Sequence, residues 1–315
     1  MPARLTLRDI ARQVGCHYST VSLALRNHPS ISAETRARVQ KLAHELDYRP
    51  DAMLAALNAY RVQKRARPDR PVLAWLTNHA ARNGWRLSAC NADYYKGAIA
   101  RAEERGYRVE HFWLGESGMS GRRMSDVLRA RAIQGLLLPP QEKIGAVALD
   151  WADFAAVTFG YTLVQPRLHL VSNHEYRTMG TLFGELAHRD YRRVGLVDLR
   201  EHDERVDHNW LAAYLLEQHR LGVAKSPPPL ILERWDDDQF LNWVERHSPD
   251  AIVTKLPAVL DCLRRARYAV PEEIGVAFHS LDDASAKLSG MRKNASQIGI
   301  MAVDLLVDML GFEQR

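Results

Sequence analysis

The chain has 315 residues, with 43 Lys/Arg against 38 Asp/Glu for a net charge of +5; that is more than one compact core usually holds, so two or three domains are expected. Residues 1–70 hold 13 Lys/Arg and 6 Asp/Glu, whereas the remainder holds 30 and 32, a balance that points to nucleic acid for a basic N-terminal module and excludes a generally sticky protein. Cys16, Cys90 and Cys262 are far apart and odd in number, which argues against a disulfide framework and fits a reducing cytoplasm; no basic and then apolar leader opens the chain, and no run is long and apolar enough to span a bilayer.

The first elements lie in Thr6 to Leu25, TLRDIARQVGCHYSTVSLAL. Thr6 is an N-cap candidate with Asp9 three residues on, and Leu7, Ile10, Ala11 and Val14 form one apolar stripe at helical spacing. Gly15 breaks this helix where a turn is needed. A second short helix is expected from about Tyr18 to Leu25, with Val21, Ala24 and Leu25 inward. Two short helices around a Gly make a helix-turn-helix pattern. The second helix offers His17, Tyr18, Ser19, Thr20, Ser22 and Leu23, small polar, aromatic or apolar groups suited to base edges and thymine methyls in a major groove. Ser32 starts a third helix with Val39, Leu42, Ala43 and Leu46 inside, expected to stop at Tyr48-Arg49-Pro50 because the residue before Pro is pushed out of the helical region.

Residues 5–61 resemble the DNA-binding headpiece of the lactose-repressor (LacI/GalR-type) family of bacterial transcriptional regulators. The matching runs are TLRDIARQVGCHYSTVSLALRN and ISAETRARVQKLAHELDYRP. Asp51 to Asn58, DAMLAALN, is rich in helix formers but too short to be stable alone in water. The resemblance implies a hinge helix here, with Leu57 wedged into the minor groove at the operator centre, a known minor-groove device. Asp51 departs from the family, which usually has Asn after the Pro; a carboxylate near phosphate is unfavourable. The candidate DNA contacts are thus Thr6, His17, Tyr18, Ser19, Thr20, Ser22, Leu23, Asn27 and Leu57. Tyr18 and Ser19 match the family's base-contacting pair, whereas Leu23 stands where the family often has Arg. Arg61 to Arg70, RVQKRARPDR, reads as a basic linker that adds salt-dependent phosphate attraction.

From Pro71 the pattern turns to alternating strands and helices. Strands are expected at Val72–Asn78, Val109–Leu114, Gly135–Pro140, Ala155–Gly160, Leu168–Asn173, Arg193–Asp198, Leu230–Glu233, Ala251–Thr254 and Gly275–Phe278. Helices are expected at Tyr94–Arg105, Met124–Arg131, Tyr176–His188, Trp210–His219, Asp238–Arg246, Ala258–Arg267 and Ala295–Leu310. Strands spaced by helices imply parallel sheets with right-handed crossovers, and this length implies two lobes. The resemblance implies a periplasmic-binding-protein-like core with a ligand cleft between the lobes, and a further strand beyond the last helix, where the sequence runs out at Gly311–Arg315. The fold class is therefore α/β: an all-α helix-turn-helix headpiece plus a two-lobed core of doubly wound parallel sheets. The expected division is headpiece and hinge in 1–60, linker in 61–71, and an effector-binding and dimerisation domain in 72–315.

No GxGxxG, GxxxxGK[ST], HExxH or GxSxG occurs, so no phosphate loop, zincin or hydrolase elbow is indicated. Asp236-Asp237-Asp238 lacks the spaced ligands calcium needs and reads as a helix start. His202, Asp203, Glu204 and His208 read as a polar loop and not a metal site. No cofactor and no catalytic residue is expected. The resemblance implies a homodimeric, sequence-specific regulator, by default a repressor, gated by a small molecule. The alternatives are a cytoplasmic sugar-binding protein or an α/β enzyme without DNA function.

For the effector, relatives that bind free sugars hold hydroxyls with an Arg, an Asp and an Asn-Asp pair. The aligned positions here read Trp210, Ser280 and Leu256-Pro257. Arg205 or Asp207 lies near the lost Arg and Asp282 near the lost Asp, out of register. Trp85, Tyr94, Phe159 and Tyr161 sit on loops and strand ends that the fold points at the cleft, and aromatic faces stack on sugar rings. A carbohydrate or glycoside is the expected effector, contacted by Trp85, Tyr94, Phe159, Asn173, Arg205, Trp210 and Asp282; the loss of polar partners would instead suit a bulkier or less hydroxylated ligand, or a core that binds none and only dimerises.

Overall fold

The computed structural model describes residues 7–25, 31–46, 70–221, 226–281 and 287–313. Thr6, Asn27, Leu57 and Asp282, the hinge segment Asp51–Asn58, most of the linker and the expected helix end at Tyr48–Pro50 lie outside them. The chain divides into a small unit, Met1–Pro71 with Val307–Arg315, and a large unit, Val72–Leu306, and each is taken by itself.

The small unit holds three helices, α1 (Leu7–Val14), α2 (Tyr18–Leu25) and α3 (Ala33–Glu45). Ile10 and Ala11 of α1, Val21 and Ala24 of α2, and Val39 and Ala43 of α3 bury one another in a single core. Each contributes through the 3–4 residue spacing that puts apolar side chains on one helical face. Gly15 takes φ +76°, the left-handed conformation that suits glycine, and the amides of Gly15 and Cys16 both donate to the Ala11 carbonyl. Ser32 caps α3 by accepting from the Thr35 amide at 3.3 Å. Gln40 of α3 donates to the Ala24 carbonyl at the end of α2, and Arg38 to that of Val14 at the end of α1, so α3 satisfies carbonyls that helix ends leave open.

The first lobe of the large unit carries β1 (Val72–Thr77), α4 (Ala89–Glu104), β2 (Arg108–Trp113), α5 (Gly121–Ala130), β3 (Gly135–Leu138), β4 (Gly145–Ala146), β5 (Ala155–Phe159), β6 (Leu163–Gln165) and β7 (His169–Val171). Its sheet runs β2-β1-β3-β5-β7, all parallel, while β4 and β6 pair separately. The second lobe carries α6 (Glu175–His188), β8 (Val194–Leu199), α7 (Arg200–Glu204), α8 (Asn209–Leu221), β9 (Leu230–Leu232), α9 (Asp237–His247), β10 (Ala251–Thr254), α10 (Pro257–Arg265), β11 (Gly275–Leu281) and β12 (Gly290–Arg292). Its sheet runs β12-β11-β10-β8-β9, again all parallel. Counted within each lobe, both orders are second-first-third-fourth-fifth. Central strands such as β3, β5 and β10 are buried along their whole length, as parallel strands covered on both faces must be.

The final helix, α11 (Ala295–Glu313), returns from the second lobe to the first. It lies so close to α4 that a Cβ on Gly97 would sit 2.0 Å from the Ser296 carbonyl oxygen, and one on Gly299 2.1 Å from that of Tyr94. Arg101 and Arg105 of α4 both reach Asp304 of α11, at 2.8 and 3.1 Å. The chain thus passes between lobes near Asn173 and near Lys293, and both crossings end beside the carboxyl ends of the strands. α4 begins at Ala89, five residues before the sequence expectation, because Ser88 caps it and the polar first turn hides its periodicity. The short β4, β6 and β12 were not expected, being too brief to show an alternating pattern. Among the described residues, no helix is long and apolar enough to cross a membrane.

Candidate functional site

In the small unit, α2 is held by Val21 and Ala24, which are fully buried. By helical register, positions 19, 22 and 23 fall on the face away from that core. His17 is exposed at the start of the helix and its carbonyl accepts from the Thr20 amide at 2.9 Å, while Thr20 is half-buried. The backbone therefore brings Tyr18, Ser19, Thr20, Ser22 and Leu23 together on one short helix braced by two others, with His17 immediately before its first residue.

In the large unit, ligand sites in open parallel sheets lie outside the carboxyl ends of the strands, where the strand order reverses. Those points are β1/β3 in one lobe and β8/β10 in the other. The first carries an aromatic floor. Trp85 packs against Trp75, Tyr95 and His111 with centroids 5.5, 4.9 and 5.5 Å apart, and Phe159 against Trp75 and Tyr94 at 5.3 and 5.1 Å. Trp85, Tyr94 and Phe159 are brought together as the sequence suggested, but as mutual packing partners, with exposures of 1, 4 and 0%. Burying large apolar rings against one another removes more apolar surface from water than leaving each in the cleft. Around this floor, at the ends of β1, β3 and β7, Asn78 Oδ1, His79 Nδ1, Gln141 Oε1 and Asn173 Nδ2 are buried with no hydrogen-bond partner among the described residues. Buried polar atoms are normally paired, so this rim is where polar contacts to another molecule fit.

The facing rim of the second lobe is charged. Asp198, at the end of β8, accepts from His202 Nδ1 and His279 Nε2, each at 2.8 Å, and from the Leu199 amide. Burial pushes its carboxyl up, but these hydrogen bonds and ring charges pull it down to about 2. His279 itself is fully buried and held below its ordinary value by that burial. Its ring lies 4.1 Å from that of Trp210. Trp210 Nε1 donates to Glu175 at 2.9 Å, and Glu175 pairs with Lys293 at 3.4 Å. The hydroxyl of Thr254 accepts from the Leu256 amide, a tight turn that sets Lys255 at the end of β10. Lys255 Nζ and Lys293 Nζ reach the Trp210 ring at 5.8 and 5.7 Å from its centroid.

Arg205 spans the cleft. Its guanidinium donates to the carbonyls of Gln141 and Glu142 of the other lobe at 2.9 and 2.8 Å. Glu142 in turn accepts from the Ala80 amide at 2.5 Å. Arg205 and Trp210 therefore lie in one site with Asn173 beside it. Glu175, Asp198, Lys255, His279 and Lys293 were not singled out from sequence. Their one sequence signal is position: Asp198, Lys255 and His279 each follow or end an apolar strand run. His208 and the Leu211 amide both bond Asp203, so that carboxylate caps α8. Among the described residues no group of His, Cys, Asp and Glu is arranged to hold a metal.

Residues 6–51 match the model of the lacI family of bacterial regulatory proteins, and residues 183–315 that of the periplasmic binding protein-like domain. Over 53 residues the chain is 43% identical to the HTH-type transcriptional regulator GalS of Salmonella typhimurium, a match that covers 17% of this chain and only 16% of that regulator. Among solved structures, the transcriptional regulator CelR in complex with cellobiose aligns over 98% of this chain and 93% of its own, with a TM-score of 0.58 and 18% identity. The lac repressor dimer bound to operator and the anti-inducer ONPF aligns over 99% and 93%, with a TM-score of 0.57 and 17% identity. The chain thus carries a lacI-family regulatory-protein segment in residues 6–51 and a periplasmic binding protein-like domain in residues 183–315, on the fold of the solved regulators.

Proposed function

We propose that the chain is a sequence-specific DNA-binding transcriptional regulator, by default a repressor, whose operator affinity is set by a small molecule in the cleft of the large unit. Residues 1–60 serve as headpiece and hinge, 61–71 as linker and 72–315 as the effector and dimerisation domain. The observation that carries this is the three-helix core of the small unit, which braces α2 in the family's helix-turn-helix arrangement. Two headpieces of a homodimer read two half-sites of a near-palindrome, since protein two-fold symmetry is mirrored in the operator. Thr6, His17, Tyr18, Ser19, Thr20, Ser22, Leu23 and Asn27 contact DNA and Leu57 wedges the centre. The protein works in the cytoplasm and performs no catalysis. The effector is a carbohydrate or its derivative; CelR is recorded with cellobiose, and the buried polar rim favours a hydroxylated ligand. Ligand binding changes the angle between lobes, and so the hinge. Anisotropy of a labelled mixed-sequence duplex in graded salt tests the first half of this. Affinity falls linearly on a log–log plot as phosphate contacts release counterions. A chain that fails to bind duplex DNA even at low salt ends the proposal.

A further inference from the structure

The carboxylates of the second-lobe rim are already engaged. Glu175 is shared between Trp210 Nε1 and Lys293, and Asp198 between two imidazoles and an amide. Among the described residues of the rim the cations are in excess. Lys255, Lys293 and Arg205 all lie on this rim, and among the described residues Lys255 has neither a hydrogen bond nor an ion pair. Lys255 is half-buried, with its ammonium over the Trp210 ring, and a partly desolvated charge with no hydrogen-bonded counter-charge is held at a cost that an anionic partner offsets.

Resting on the reading of the cleft as an effector site, we propose that its ligand carries an anionic group, a carboxylate or a phosphate monoester, held between the ammonium groups of Lys255 and Lys293 beside Trp210. Burial first, and then the like charge of Lys293, hold Lys255 below the ordinary lysine value. An anion set between the two relieves the repulsion and supplies the missing partner. Access is provided at Lys293, which borders an open cavity of about 450 Å³ lined by Asp93 and Lys96 of α4 and by residues 292–296; sites for ligands of sugar size fall in this range. Three of those lining side chains, Lys96, Arg292 and Lys293, are cationic against the single carboxylate of Asp93, so an approaching anion is drawn toward the site.

The test uses the full chain and calorimetric titration with matched probes: D-glucose and D-galactose, their uronic acids, their 6-phosphates, and acetate and orthophosphate as bare anions. The expected result is that at least one uronate or sugar phosphate binds tenfold or more tightly than its neutral parent. Which arm binds separates a carboxylate from a phosphate ligand. Lys255→Met and Lys293→Met lose that preference, whereas Lys255→Arg, which retains charge, keeps a measurable part of it. Lys255→Met removes a half-buried charge that has no hydrogen bond or ion pair among the described residues, so its thermal midpoint is expected to hold or rise, and this checks folding. Neutral sugars that bind as tightly as their acids and phosphates overturn the anion inference and leave the carbohydrate reading standing. If neutral sugars bind and no anionic probe does, the same holds. If no probe of either kind binds, both fall.

Discussion

Trp210 and His111 show how much a single side chain carries here. Trp210 is 2% exposed within the core of the second lobe, and its indole N–H is the donor that Glu175 accepts from. Trp210→Ala leaves both a cavity and an under-paired buried carboxylate. We expect a loss of about 3–5 kcal/mol, typical of large-to-small aromatic changes in cores, read from urea unfolding. It is therefore a poor probe of ligand contact, and the lysines beside it are better ones. His111, bonded to the Thr77 hydroxyl at 2.8 Å, is pulled down to about 4 by burial and then by the charges of Arg82, Arg86 and His79. The unfolded ring titrates near about 6.5. The stability it contributes is thus full above that value and is lost as pH falls toward 4, because the unfolded chain takes up the proton first. His111→Asn should flatten the decline in urea midpoint between neutral pH and pH near 5. An unchanged slope in the variant would show that other groups, such as His79 and His279, set the acid limit.

Among the elements, the contact of α4 with α11 and the face of α2 make opposite demands. Gly299 lies against backbone, where the Tyr94 carbonyl oxygen and the Ala98 nitrogen stand 2.1 and 2.9 Å from a built Cβ. Backbone does not swing aside, so Gly299→Ala forces the helices apart and costs about 1–3 kcal/mol by overpacking. Gly184, inside α6 with nothing near its Cβ position, gives the contrary result: Gly184→Ala stabilises by about 0.5–1 kcal/mol through helix propensity alone. Thermal or urea unfolding of the two variants checks both signs. On α2, Leu23 offers only apolar contact. Leu23→Arg should shift the base pair read there toward G·C, through a bidentate contact to guanine; a strong guanine already selected at that position by the parent contradicts this. These elements were largely legible beforehand. The 3–4 spacing of Ile10, Ala11, Val21 and Ala24 and the apolar runs VLAWLT, AAVTF and AIVT carry their own periodicity. The site was less so. Trp85, Tyr94 and Phe159 look alike in sequence whether they floor a lobe or stack on a ligand. Lys255 and Lys293 meet at Trp210 only because β10 and the second crossing end at the same place, a proximity that no local pattern encodes.

The whole molecule combines two lobes with the same strand order, a polar and cationic cleft crossed by Arg205, and a helix-turn-helix segment at the basic end of the chain. Unpaired polar atoms at the ends of β1, β3 and β7 face this function better than they serve stability, since each costs free energy while unpartnered. Dimeric DNA reading is the claim from which the rest of the function follows. It is tested most directly by selecting bound duplexes from a random pool with the full-length protein. The account predicts enrichment of one near-palindromic site, with two half-sites in register with a two-fold dimer. Recovery of unenriched sequence, or of a single unpaired half-site, would contradict it.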